Sequence, residues 1–381
     1  MKWEKVKLGE LYEVHNGLSK ARKFFGEGYP FLTFSTVFNN YFIPKQITDL
    51  VQSTEKEQES YSIRRGDVFV TRTSETSDEL GMSCVALKDY PMATYNGFTK
   101  RMRPITNRVF PEYIGYYMRL PSFRGEFRAF STMTTRASLR NEDLLGLEVK
   151  LPSIEIQKQI ADILSAYDDL IENNQKQIKL LEEAAQRLYK EWFVDLRFPG
   201  HENTKIVDSV PEGWRRGLLK ELISVNYGKD HKKVPDDGNI PVYGSGGLMR
   251  KCNKSLFSGE AVLIPRKGSL NNIMYVDETF WTVDTMFYAT MKQPHTAVFV
   301  YFFVKAFDMY SMNIGAAVPS MTTKILDAMD VVIPDKETLE KFDKYAKVYF
   351  NKIKTLQGQN EQLKTARDLL LPKLMSGEVE V

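Results

Sequence analysis

The chain has 381 residues, of which 43% are hydrophobic, 27% charged and 12% aromatic. This ordinary globular composition excludes a largely disordered or fibrous chain, and the length is sufficient for two or three domains. The formal net charge of +3 is too small to demand a nucleic-acid partner and does not exclude one.

Several other classes of protein are excluded by simple features. Cys84 and Cys252 form no CxxC pair, so the sequence gives neither a disulfide framework nor a zinc motif. The longest apolar run, AVFVYFFVKAF, is far shorter than the roughly 20 residues of a membrane span. The N-terminal MKWEKVKLGELY has no apolar core of a signal peptide. We therefore expect a cytoplasmic protein.

Residues 1–152 are predicted to form a first globular domain of α+β type. Short runs rich in β-branched and aromatic residues, bounded by Gly, Asn and Asp, predict strands in GDVFVTR, MSCVALKD and GFTKRMRP. The segment PEYIGYYMRLPSFRGEFRAF, residues 111–130, is predicted to be helical.

A long helix is predicted within residues 153–198. Mostly apolar residues recur every seven positions in two rows, one through Ile160 and one through Leu164, for more than four heptads. Ser153 can cap the first turn, and Pro199 stops the helix. A helix of this length outruns a single domain, so we expect a coiled-coil or interdomain role.

Residues 199–334 are predicted to form a second α+β domain. EAVLIPRKG and IMYVDETFWTVDTMFYATM read as strands, and TAVFVYFFVKAFDMYSM reads as a helix. A second long helix is predicted in residues 335–381, with its heptad rows 182 residues after those of the first. Asp335 takes the capping place of Ser153, Gly358 is expected to soften the helix, and Pro372 to end it.

The chain is predicted to contain two copies of one unit. WEKVKLGELYEVHNG, residues 3–17, matches WRRGLLKELISVNYG, which lies 211 residues later. RRGDVFVTRTS resembles FSGEAVLIPRKGS, and this pairing aligns Arg72 with Arg266. Each copy is a globular domain followed by a long helix, and this duplication determines the whole architecture.

Four segments resemble the DNA-specificity subunits of type I restriction-modification systems: LPSIEIQKQIADIL, LLEEAAQRLYKEWFVDLRFPG, VPEGWRRGLLKEL and LLLPKLMSGEVEV. The resemblance covers essentially the whole chain. It implies two similar α+β target-recognition domains, each reading one half of a bipartite target, separated by two long antiparallel coiled-coil helices in a pseudo-two-fold repeat. It also implies as partners double-stranded DNA, two modification (methyltransferase) subunits, which bind S-adenosylmethionine, and restriction/translocase subunits.

The residues predict a DNA reader that is not itself an enzyme. The chain has no Pro-Pro, which adenine methyltransferase motifs contain, and no GxxxxGK(S/T) phosphate loop. Its four histidines are scattered without metal-ligand spacing, so we expect no metal and no cofactor in this chain. Two other functions stay open. A coiled-coil scaffold with two protein-binding domains would have no affinity for duplex DNA, and an enzyme with an unrecognised site would turn over substrate alone.

Candidate DNA-binding residues are basic, amide or hydroxyl side chains in glycine-bounded loops and at strand ends. Arg and Asn suit the edges of guanine and adenine, while Lys, Ser and Thr suit phosphates. The alternative for each is simple solvation; the equivalence of Arg72 and Arg266 favours a phosphate or scaffold contact over base reading. The candidates are Lys20, Arg22, Lys23, Arg72, Thr73, Asn96, Thr135 and Arg136 in the first domain, and Lys229, Lys232, Lys233, Tyr243, Ser245, Arg266, Lys267 and Asn271 in the second.

Large apolar side chains at the end of the first long helix have two interpretations. Tyr189, Trp192 and Phe193 are candidates for a surface that binds a modification subunit. Packing against the neighbouring recognition domain is the simpler interpretation, and the composition favours it.

Overall fold

The computed structural model describes residues 3–74, 79–130, 132–133, 137–312 and 320–381. For residues 73–74, 128–130, 132–133 and 137–138 it describes the backbone alone. The chain divides into two compact units. Unit 1 comprises residues 1–173 and 359–381, and unit 2 comprises residues 174–358.

Unit 1 contains one globular domain and segments of both long helices. Its helices are α1 (Leu8–Leu11), α2 (Phe34–Asn39), α3 (Glu55–Ser60), α4 (Pro111–Tyr117), α5 (Pro121–Phe130), α6 (Asn141–Gly146) and the first part of α7 (Ile154–Tyr189). Its strands are β1 (Glu4–Lys7), β2 (Tyr12–Asn16), β3 (Phe25–Leu32), β4 (Leu50–Val51), β5 (Val68–Thr71), β6 (Thr73–Ser74), β7 (Ser83–Val85), β8 (Thr94–Tyr95), β9 (Thr99–Pro104), β10 (Thr132–Met133), β11 (Ala137–Ser138) and β12 (Glu148–Leu151).

The central sheet of unit 1 has the antiparallel order β2-β9-β5-β7. Val68 and Val70 point to one side, into a core that also contains α4 and α5, while Phe69 points to the other side. This alternation is what a strand with both faces covered requires. Beside this sheet, β3 pairs with β8 in parallel.

Unit 2 repeats this plan with longer strands. Its strands are β13 (Ile206–Val207), β14 (Val210–Pro211), β15 (Arg215–Leu218), β16 (Ile223–Tyr227), β17 (Ile240–Gly244), β18 (Gly247–Cys252), β19 (Phe257–Pro265), β20 (Met274–Thr282), β21 (Met286–Met291) and β22 (Asp330–Ile333). Its helices are the end of α7, α8 (Ala297–Lys305), α9 (Thr323–Asp327) and the beginning of α10 (Lys336–Ser376). Its main sheet has the order β16-β21-β19-β20-β17-β18.

Strand register confirms the predicted duplication. In unit 1, β1 pairs with β12, and Glu4 faces Leu151. In unit 2, β15 pairs with β22, and Arg215 faces Ile333. The first residues of these pairs are 211 apart and the second 182 apart, which are the two offsets found in the sequence. The α+β prediction with two similar domains is therefore confirmed.

The two long helices pack against each other within each unit. In unit 1, Ile160 and Leu164 of α7 share a buried cluster with Leu371 and Leu374 of α10. In unit 2, a cluster of the same kind joins Ala185 and Tyr189 of α7 to Leu339, Phe342 and Ala346 of α10. The start of each helix meets the end of the other, so the predicted antiparallel pairing is confirmed.

Helix boundaries differ from the sequence prediction at three places. The predicted helix 111–130 is divided into α4 and α5, because Pro121 starts a new helix more readily than it continues one. The α-helical part of α7 ends at Tyr189 and is followed by a π-helical turn, Lys190–Val194. The prediction that Pro372 ends the second helix was wrong. α10 continues to Ser376 because Leu374 and Met375 in its last turn are buried in the core of unit 1.

Other predictions for the long helices have mixed outcomes. The carboxylate of Asp335 accepts a hydrogen bond from the Thr338 amide at 2.9 Å, as an N-cap does. Gly358 lies inside an uninterrupted α10, although softening was expected there. Among the described helices, none combines the length and apolarity needed to cross a bilayer.

Candidate nucleic-acid interface

Arg72 and Arg266 occupy the same place in the two units. Each directly follows a central strand, β5 or β19. The Arg72 amide donates to the Phe98 carbonyl at 3.0 Å, and the Arg266 amide donates to the Thr285 carbonyl at 2.8 Å. The carbonyl of each arginine also accepts a hydrogen bond. The Leu139 amide donates to the Arg72 carbonyl at 3.0 Å, and the Met321 amide donates to the Arg266 carbonyl at 2.9 Å. The backbone therefore presents both arginines in the same way.

A glycine lies near each arginine, at a point where another backbone segment approaches too closely to leave room for a side chain. The Gly17 amide donates to Thr99 at 3.2 Å, and the Gly228 amide donates to Met286 at 2.9 Å. A Cβ on Gly17 would overlap the Asn96 carbonyl, and one on Gly228 would overlap the Val283 carbonyl. These contacts fix the preceding residue, Asn16 or Tyr227, next to the arginine.

In unit 1 the arginine belongs to a small cluster of cations. Arg72 Nη1 donates to Asn16 Oδ1 at 3.3 Å. Lys100 on β9 is nearly buried, and its ammonium donates to Asn141 Oδ1. Burial lowers the pKa of Lys100, and the charge of Arg72 lowers it further. An anion that binds here would relieve this repulsion, and DNA phosphate oxygens have the required charge.

In unit 2 the arginine lies on an aromatic ring. The guanidinium of Arg266 is 5.6 Å from the ring centroid of Tyr227, and its Nη1 donates to the Asp284 carbonyl at 3.1 Å. The Tyr227 ring packs edge-on against Phe287 at 5.0 Å yet is still 54% exposed. This cation–π contact holds the arginine in place without neutralising its charge.

The loop after Arg266 brings several predicted residues of unit 2 together. Asn272 Nδ2 donates to the Ser245 carbonyl at 2.9 Å. A Cβ on Gly268 would be 2.7 Å from Ser245 Oγ, so the two loops touch. Lys267 is exposed and forms an isolated bridge with Ser320. Ser245, Arg266 and Lys267 therefore share one region of the surface.

Four predicted residues are engaged in structural contacts instead. Lys20 Nζ is 2.7 Å from Glu57, whose pKa is lowered chiefly by this hydrogen bond. Asn96 Oδ1 accepts the Phe98 amide at 2.7 Å. Asn271 accepts the Met309 amide at 2.8 Å and donates to Asp308 at 2.9 Å. Tyr243 donates to Glu278 at 2.6 Å. These contacts favour scaffold roles, and DNA binding by these residues stays a prediction.

Other predicted residues are exposed but lie on other loops. Arg22 and Lys23 are in a 3₁₀ turn, where the Lys23 ammonium is 5.1 Å from the Phe24 ring centroid. In unit 2, Lys229, Lys232 and Lys233 are also solvent-exposed. The side chain of Thr73, and all of Thr135 and Arg136, lie outside the described part of the structure.

The apolar residues proposed to bind a partner are used inside unit 2. Tyr189 and Trp192 are only 8% and 5% exposed. Phe193 packs edge-on against Phe299 and Phe342, each at 4.8 Å between ring centroids. These contacts favour packing against the unit's own domain, and binding of a modification subunit by these residues stays a prediction.

Three residues beside the arginines were missed by the sequence analysis. They are Asn16, Phe98 and Tyr227. Asn16 and Tyr227 could have been found, since they precede Gly17 and Gly228 at the 211-residue offset. Phe98 could not, because insertions change the offset between the copies and only the strand register locates its counterpart, Thr285.

Comparison with known proteins relates the whole chain to one family. The family model described as the type I restriction modification DNA specificity domain matches residues 1–183 and 211–365. The chain is 25% identical to the type I restriction enzyme MjaIX specificity subunit of Methanocaldococcus jannaschii, over all of this chain and 94% of that protein. It is 22% identical to the HindI specificity subunit of Haemophilus influenzae, over 99% of both chains.

A solved structure has the same fold. The crystal structure of a type I restriction-modification system S subunit from M. genitalium aligns with a TM-score of 0.58 at 18% identity. The alignment covers 98% of this chain and 96% of that chain. The likeness extends through both globular domains and both long helices.

Proposed function

Because the chain belongs to the family of DNA-specificity subunits of type I restriction-modification systems, we propose that each recognition domain reads one half of a bipartite DNA target. The helices dock two modification subunits, and restriction/translocase subunits join the complex. The modification subunits bind S-adenosylmethionine and methylate the DNA, while this chain contributes no catalytic group. The complex acts in the cytoplasm, where its substrate DNA lies.

The repeated arginine carries this proposal. Two domains with the same strand register each present an arginine at the same strand end, in a chain that the family model matches twice. A single binding site would not need two such copies. Two reading surfaces do, since each half of a bipartite target is a separate stretch of duplex.

Exchange of one domain tests the proposal. Residues 220–328 are replaced by the matching segment of a relative with a different target, which leaves the paired strands β15 and β22 in place. With the modification subunits present, we expect one half of the methylated target to change and the other half to stay the same. The sites are read by methylome sequencing of cells that express the complex.

A matched exchange gives the control. Replacement of residues 8–147, which lie between β1 and β12, should change the other half of the target. Cells without the modification subunits should show no methylation. Alteration of both half-sites by either exchange would contradict independent reading, and unchanged targets would favour a scaffold without contact to DNA.

A further inference from the structure

Two positions flank each equivalent arginine. The first position directly precedes the required glycine, and Asn16 or Tyr227 occupies it. The second position supplies the carbonyl that accepts the arginine amide, and Phe98 or Thr285 occupies it. Strand register supports both equivalences independently, because Asn16 faces Lys100 and Tyr227 faces Phe287. Lys100 is two residues after Phe98, and Phe287 is two residues after Thr285, so the two units agree.

Aromatic and polar side chains are interchanged between these positions. In unit 1 the first position is polar, and Asn16 accepts a hydrogen bond from Arg72. The second is aromatic, and Phe98 is 57% exposed. In unit 2 the first position is aromatic, with Tyr227 under Arg266, and the second is the half-buried Thr285. Each unit therefore presents one exposed ring beside its arginine, but from a different position.

The exposed rings are held on fixed backbone. The Phe98 amide is bound by Asn96 Oδ1, and Asn96 forms a bridge with Leu18. A Cβ on Gly97 would overlap Ser19 Oγ, so this turn lies close against Ser19. Tyr227 is the last residue of β16 and is paired with Phe287 on β21. Each ring therefore lies in solvent beside an arginine, on backbone that hydrogen bonds hold in place.

We propose that Phe98 and Tyr227 are specificity-determining residues, each placing its aromatic ring against a base of its half-site beside the equivalent arginine. This inference rests on the proposed function. An aromatic ring contacts a base either at a thymine methyl group or by stacking on an unstacked base. Because the ring comes from different positions in the two units, we expect the two half-sites to differ at the base pairs next to the arginine.

Exchanging the residues between units tests the inference. Phe98→Thr installs the residue of unit 2, and Tyr227→Asn installs the residue of unit 1. Each variant, in complex with the modification subunits, methylates a duplex library that is randomised in both half-sites. We expect each variant to lose roughly tenfold of its base preference at one or two base pairs. For Phe98→Thr these base pairs should lie in one half-site, and for Tyr227→Asn in the other.

Control variants separate a base contact from other effects. Ile105→Ala and Val207→Ala remove apolar side chains that are 58% and 62% exposed, and both should keep the wild-type preference. Tyr227→Phe keeps the aromatic ring and should also keep the wild-type base preference. Phe98→Leu keeps the apolar volume without the ring, and it provides a second variant should Phe98→Thr fold poorly. The salt dependence of binding should be unchanged, since no charge is removed.

Each outcome is decisive. The inference is overturned if Phe98→Thr and Tyr227→Asn keep the wild-type base preference. The proposed function stays intact in that case, provided that the wild type selects a bipartite target. Loss of affinity that is uniform over all sequences also overturns it. Failure of the wild type to select any target would instead count against the proposed function. Where the preference is confirmed, deoxyuridine in place of thymidine identifies the contact: an effect that disappears indicates the methyl group, and one that persists indicates stacking.

Discussion

Asp67, a residue of the first recognition domain, is fully buried at the start of β5 and paired with a cation. Arg103 on β9 donates to it through Nε at 2.8 Å and through Nη2 at 2.7 Å. Asp67 also accepts the Arg64 amide at 2.7 Å, so its oxygens are well satisfied. The carboxylate raises the pKa of Arg103 by hydrogen bonding. This pair ties together two central strands of the sheet that carries Arg72.

Removing the Asp67 carboxylate should destabilise this sheet strongly. In Asp67→Ala the guanidinium of Arg103, only 17% exposed, keeps its charge but loses its carboxylate partner, while the Ser62 carbonyl still accepts from Nη2. The expected cost is about 3–5 kcal/mol. Native-state hydrogen exchange of β5 and β9 measures it as a loss of protection of about 100-fold or more. In Asp67→Ala/Arg103→Met both charges of the pair are removed together, so protection should partly return. Equal loss in both variants would contradict this account.

At the scale of secondary structure, the two helix pairs are equivalent in position but not in chemistry. In unit 1, Asp168 of α7 accepts from Tyr116 at 2.6 Å and pairs with Arg367 of α10. The positions 182 residues away from Asp168 and Arg367 hold Phe350 and Ala185. Ala185 lies in the apolar core of unit 2, and the partly buried Phe350 packs against that core. A polar cluster therefore stabilises the helix pair in unit 1, and aromatic packing stabilises it in unit 2.

Asp168→Ala should weaken the packing of the helices in unit 1. It removes the acceptor of Tyr116 and one carboxylate of Arg367, while Asp368 remains at 2.8 Å from Arg367. Charged hydrogen bonds of this kind are worth about 2 kcal/mol. The exposed neighbour Asp169, replaced by Ala, serves as the control and should cost no more than about 0.5 kcal/mol. Urea unfolding of the two variants compares them, and equal midpoints would refute a stabilising role for the cluster.

Sequence periodicity predicted these helices because their signal is local and repeated. The heptad rows and the cap at Asp335 can be read without any knowledge of the partner helix. The passage of α10 through Pro372 could not be predicted, since it depends on Leu374 and Met375 being buried by residues far away in the chain. The same limit applies to the candidate site: the pairing of Lys20 with Glu57 joins separate loops, and only the folded chain brings them together.

For the whole molecule, the long helices are the elements common to both units. We predict that their length sets the spacing between the two half-sites of the DNA target. The unit boundaries fall within both helices, after Asn173 and after Gly358. Shortening the helices at these places removes no residue of either globular domain.

Deleting residues 171–177 and 353–359 should change the preferred spacer of the DNA target. Loss of one heptad from each helix keeps the apolar rows in phase and shortens each by ~10 Å. This equals about three base pairs, or nearly a third of a duplex turn. We expect strong loss of methylation at the original target, measured on duplexes that differ only in spacer length. A four-residue deletion should disrupt the rows and destabilise the protein. A folded seven-residue variant with undiminished rate on the original spacer would refute this role.

The pairing of β1 with β12, and of β15 with β22, closes each globular domain where it joins the helices. Backbone hydrogen bonds make this closure, and backbone groups are the same in every amino acid except proline. It therefore places few demands on the side chains of the domain that it closes. A segment from a relative can join the helices through the same paired strands when it keeps the side chains that contact the helices, as Tyr116 contacts Asp168. We therefore expect relatives with different DNA targets to differ mainly between the paired strands and to share the residues of the helices.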